Sequence, residues 1–90
     1  MMKENNLAYS QTELSYIRWK CRRGMLELDE LLQHFFDHGF LQMSVELQQS
    51  FVELLSSTDP ELFSWLMNAT PAPQAQWQLL VQKIRAAKQS

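Results

Sequence analysis

The 90-residue chain has one cysteine, two glycines and three prolines. The single thiol, Cys21, cannot close an intramolecular disulfide, and a lone cysteine suits a reducing compartment. Nowhere do more than three apolar residues adjoin, against the ~18 that a membrane-spanning helix needs. The leading "MMKENNLAYS" has no apolar run of the kind a secretory signal carries. A cytoplasmic protein without membrane insertion is therefore expected. Positive charge is also short: eight Lys and Arg against ten Asp and Glu give a net charge of −2 and a pI near 5.6. That is the wrong sign for a general nucleic-acid binder, whose affinity comes from neutralising phosphates. Neither a glycine-rich phosphate loop nor a credible nucleophile–base–orienter set is present, so the residues point away from an enzyme.

What the chain does have is apolar area at helical spacing. Hydrophobic residues make up 46%, with three Trp, five Phe and two Tyr, enough for one core in a domain of this size. Residues 1–9 are polar and unpatterned and read as a tail, leaving 10–90 as the domain. Ser10 with Glu13 forms a capping box, and Tyr9 and Leu14 occupy staple positions. Leu14, Ile17 and Cys21 then mark a first helix over about 11–22. Met25, Leu28, Leu32 and Phe35 carry a second helix, which is expected to end on a left-handed Gly39. Ser44 caps a third, with Leu47, Phe51, Leu54 and Leu55 as its stripe. The fourth begins either on Asp59, with Pro60 as its first helical residue, or on a Thr58–Glu61 capping box; Leu62, Phe63, Leu66 and Met67 are its expected buried face. After "TPAP", residues Trp77, Leu80, Val81, Ile84 and Ala87 mark a fifth. No stretch alternates with a period of two, so the expected fold is all-α, a compact single-domain bundle of five short helices.

One corner stands out. In "RWKCRRGMLELDE", Arg18, Lys20, Arg22 and Arg23 precede Gly24, while Glu27, Asp29 and Glu30 follow it. Cations suit a helix C-terminus and anions the next helix's first turn, and glycine inside a helix costs ~1 kcal/mol relative to alanine, so Gly24 reads as a break. Tyr16, Trp19 and Arg23 lie on the side of helix 1 opposite its apolar stripe. Tyr, Trp and Arg are the side chains most enriched at binding hot spots. Arg23 and Glu27 flank a residue without a side chain, where another backbone can come close. The competing bland readings are a plain helix–turn–helix connection and a Trp19 buried in a second layer.

Other features carry less. His34 and His38 are spaced to hold two sides of a zinc ion, but no Glu follows His34 as HExxH requires and no third ligand is evident, so no metal is expected. Cys21 lies on the apolar stripe and reads as a small hydrophobe. Asp59 is most simply a cap, with a surface role open.

The stretch "RRGMLELD" together with "DPELFSWLMN" resembles the SdhE family, small flavinylation factors of succinate dehydrogenase once assigned in bacteria as the antitoxin CptB. The family's RGxxE signature falls on Arg23, Gly24 and Glu27, and its Asp-Pro-x-Leu-x-x-Trp segment on Asp59, Pro60, Leu62 and Trp65. The resemblance implies a non-enzymatic assembly factor that binds the flavoprotein subunit of succinate dehydrogenase or fumarate reductase and promotes covalent FAD attachment. The flavin-accepting histidine would belong to that partner, and the factor would hold no cofactor of its own. The implied docking site is Arg23, Gly24 and Glu27; the facial argument adds Tyr16 and Trp19, and Asp59 stands at its edge. A monomer is expected. The alternative is an antitoxin-type or other interaction module without a flavin role, or a weak nucleic-acid contact through residues 18–23. Many members carry Gly soon after the Trp-Leu pair; here Asn68 is expected to supply the left-handed turn.

Overall fold

Helix starts in this chain are built locally. In the computed structural model, which describes residues 9–89, Ser10 accepts a hydrogen bond from the Glu13 amide while Glu13 accepts one from the Ser10 amide. This box opens α1, Gln11–Lys20. Ser44 accepts from the Leu47 amide and opens α3, Val45–Leu54. Thr58 and Glu61 form a second box and open α4, Asp59–Leu66. Thr58 is thus the cap, Asp59 is the first helical residue and Pro60 the second, where its missing N–H has no intrahelical partner to lose. α2 spans Leu26–Gly39 and α5 spans Ala75–Gln89. Among the described residues there is no strand. Residues 1–8 of the expected tail lie outside the described residues; Tyr9 packs its ring 5.9 Å from that of Phe40.

The helix stripes meet in one core. Leu14, Ile17 and Cys21 from α1 and its cap join Leu28, Leu32 and Phe35 of α2. Phe51 and Leu54 of α3, Leu62 of α4, and Leu80, Val81 and Ile84 of α5 complete it. Helix α5 packs against α2, α3 and α4. Burying a side chain of this size contributes ~1.5–3 kcal/mol, which is why the stripes rather than helix propensity decide the arrangement. Phe40 and Phe51 are fully buried with ring centroids 5.5 Å apart in an edge-on contact. A buried Gln48 spends its amide on the Phe40 carbonyl, 2.9 Å away.

Three local expectations are corrected. Gly39 is not left-handed: its φ is −131°, and the chain runs on into a 3-10 turn over Phe40–Gln42. Its lack of a side chain serves packing instead, because a Cβ there would sit 3.1 Å from the Phe35 ring. The left-handed residue after α4 is Ala69, with φ 60°, and not Asn68. Asn68 instead donates its amide to the Phe63 carbonyl at 3.2 Å. Finally, Met67 is exposed, and Trp65 takes the buried place on α4. Trp65 meets Trp77 of α5 at a centroid distance of 5.8 Å, a cross-helix contact that a stripe drawn on α4 alone does not reveal.

Candidate functional site

The break at Gly24 is real. Helix α1 ends at Lys20 with Cys21 as its cap, and α2 begins after Met25. Gly24 has φ +85°, a conformation that costs a residue with a Cβ ~1–2 kcal/mol. A Cβ built there meets no heavy atom within 4 Å. Two separate facts therefore hold at this residue: the backbone wants glycine, and the space in front of it is open.

What holds the corner is Arg23. Its side chain is only 15% exposed and its Nε donates to Asp59 Oδ1 at 2.8 Å. One terminal nitrogen donates to the Lys20 carbonyl at 3.1 Å and to the Leu55 carbonyl at 2.8 Å. The other donates to the Ser57 carbonyl at 2.8 Å. Lys20 closes α1 and Leu55 caps α3, so the guanidinium satisfies carbonyls that helix ends leave over and sits at the negative end of both dipoles. The backbone amide of Arg23 donates to Asp29 Oδ1, reaching back from α2. Arg23 thus does not frame an open surface with Glu27 as the spacing suggested; its charge is turned inward, and Asp59 is its partner.

Other residues of this stretch face solvent. Gly24 and Glu27 are exposed. Trp19 is 66% and Tyr16 59% exposed, so neither lies in a second layer. Their rings stack with centroids 6.0 Å apart and 17° between planes, and Lys20 Nζ lies 5.5 Å from the Tyr16 ring centroid. Leu26 is exposed as well; it falls off the Met25–Leu28–Leu32 stripe, a signal that sequence alone contained. Asp29 belongs to the charged stretch around Gly24 but is not among the expected site residues. Its only sequence signal is a carboxylate in the helix turn after a left-handed glycine, within reach of the preceding amide.

Arg18, Cys21 and the two histidines play ordinary structural roles. Arg18 forks onto Asp37 through two bonds of 2.8 and 2.9 Å, tying α1 to α2. The hydrogen bond from Arg18 holds the Asp37 carboxyl below its usual range, and the same bond raises Arg18. Burial pushes the Cys21 thiol up to about 12, so it carries no thiolate at neutral pH. His34 and His38 are exposed, and His38 Nδ1 lies 3.0 Å from the His34 carbonyl oxygen. Among the described residues no three His, Cys, Asp or Glu side chains are grouped so as to hold a metal ion. No described helix is long and apolar enough to cross a membrane.

Comparison with known proteins gives the chain's family. Residues 15–88 match the family described as Sdh5, flavinator of succinate dehydrogenase. The chain belongs to that family. The FAD assembly factor SdhE of Haemophilus ducreyi is 48% identical over 71 residues, covering 79% of this chain and 87% of that protein. The SdhE of Shewanella oneidensis is 42% identical over 72 residues, 80% of this chain and 88% of that one. That of Coxiella burnetii is 39% identical over 69 residues, 77% and 84% respectively. These relatives are named as assembly factors and not as enzymes. The match to the Sdh5 family extends through α5, beyond the two segments, residues 22–29 and 59–68, on which the resemblance was read.

Proposed function

We propose that this chain is an FAD assembly factor that docks on the flavoprotein subunit of succinate dehydrogenase or fumarate reductase and promotes covalent attachment of FAD to that subunit. The contact is the Gly24 corner, with Gly24 and Glu27 at its centre, Trp19 and Tyr16 beside it, and Arg23 and Asp59 beneath. The observation that carries the reading is the open space in front of a left-handed glycine next to a stacked, solvent-facing aromatic pair. An exposed Trp and Tyr bring large area at low conformational cost, and the glycine lets a partner backbone approach them. The factor needs no reactive group of its own: a binder that favours the arrangement in which flavin and acceptor are aligned accelerates the step by orientation. The flavin stays with the partner.

A nucleic-acid contact through residues 18–23 has less support, since Arg18 and Arg23 are both engaged by carboxylates. The experiment is a pull-down with tagged protein, comparing the native chain with Gly24→Arg. The native chain is expected to retain a large flavoprotein and the folded variant to lose it. Retention by the folded variant would remove the corner as the docking site. Capture that collapses with added salt and is replaced by nucleic acid would favour the rival.

A further inference from the structure

We infer that Arg23, acting with Asp59, is a positioning residue for the Gly24 corner and makes no contact with the partner. The inference rests on the docking reading above and divides its residues into those that touch and those that hold. The guanidinium spends four N–H bonds inside the chain, on the Lys20, Leu55 and Ser57 carbonyls and on Asp59. An arginine has five such donors in a rigid fork. The acceptors lie at the end of α1, at the cap of α3, in the α3–α4 link and on the first residue of α4. The same residue's amide is fixed by Asp29 of α2. One residue therefore fixes four helices relative to each other, and Gly24 is the next residue along. Four of its five donors are thus committed inside the chain, and the side chain is only 15% exposed, so a partner carboxylate finds at most one donor left. A lysine keeps the charge but loses the fork, so it satisfies at most part of this set.

The test uses the purified full chain with Arg23→Lys and the milder Asp59→Asn. Amide hydrogen exchange on the free protein is the first readout. In Arg23→Lys the amide of residue 23, which donates to Asp29, is expected to exchange at least about tenfold faster, with those of Leu80, Val81 and Ile84 in α5 unchanged. Unchanged exchange at the corner would overturn the inference. Should Arg23→Lys not fold, Asp59→Asn, which takes the charge from one of the four acceptors, carries the same comparison. The second readout is affinity for the purified flavoprotein subunit in a double-variant cycle. Positioning predicts that the losses overlap, so that the double variant binds about as weakly as Arg23→Lys alone. Independent, additive losses would show that Arg23 does not act with Asp59 and would overturn the inference. Full binding by Gly24→Arg would instead overturn the docking reading, and the exchange result, read without partner, would still decide whether Arg23 holds the corner.

Discussion

Helices α1, α3 and α4 each start on a hydroxyl, Ser10, Ser44 or Thr58, that accepts the amide three residues on, whereas α2 starts after Met25 with no side-chain cap at all. The first kind of start is complete within four consecutive residues. The second is held from a distance: Asp29 reaches back to the Arg23 amide, and the Arg23 side chain reaches across 32 to 36 residues to Leu55, Ser57 and Asp59. The difference separates what the chain needs in order to fold from what it presents. The capped starts of α1 and α3 take no part in the corner, and that of α4 meets it through Ser57 and Asp59. The start of α2 lies next to an open glycine and is held through Arg23 and Asp29.

Several substitutions would break or sharpen this contrast. The largest loss is expected from Arg23→Ala, which strands three carbonyls and Asp59; about 2–3 kcal/mol of unfolding free energy should go, measured by urea denaturation, because hydrogen bonds to charged groups are the costly ones to leave half-made. Ser10→Ala and Thr58→Ala should each cost about 1 kcal/mol and add in the double variant, since local caps at separate helices share no partner. Gly24→Ala should cost a similar ~1 kcal/mol from its left-handed backbone alone, since its Cβ meets nothing. Conversely, Ala69→Gly should raise stability by about 0.4–1 kcal/mol in the same assay, relieving the left-handed alanine. The smallest effect belongs to Arg18–Asp37. Asp37 is depressed in the folded state, so its contribution is present above the unfolded carboxylate pKa and is lost as pH falls through the lower folded value. Both side chains are more than a third exposed, so the term is at most about 1 kcal/mol. Stability curves from pH 6 to 2 should lose that fraction in Asp37→Asn.

The same contrast explains what could be read before any coordinates. Ser10, Ser44 and the Thr58–Glu61 box were legible because a cap is a pattern of nearby residues. The α1, α2, α3 and α5 stripes were legible because burial follows helical period. Gly24 was legible as a break from the charges on either side of it. The inward turn of Arg23 was not, because three of its four acceptors are carbonyls, which leave no letter in a sequence, and the fourth, Asp59, lies 36 residues away. Gly39 misled for a related reason. Its position fits a C-cap, but its absent side chain answers to the Phe35 ring, a demand set by packing. Met67, expected on the buried face, is exposed and Trp65 is buried because α4 offers its face to Trp77 on a helix that follows a proline-containing loop. In each case the part set by near neighbours was visible and the part set by distant ones was not. The exposed aromatic pair is the exception: Tyr16 and Trp19 stand opposite the buried stripe, and that opposition was written in the spacing.

The most direct measurement sets Gly24→Ala beside Gly24→Arg and reads covalent flavin on the succinate dehydrogenase flavoprotein by in-gel fluorescence, in cells lacking the native factor and supplied with each variant at equal level. Both substitutions impose the same left-handed backbone strain, but only arginine fills the space in front of it. The account predicts flavin loading near the native level with alanine and its loss with arginine. Equal loading by the two variants would contradict it.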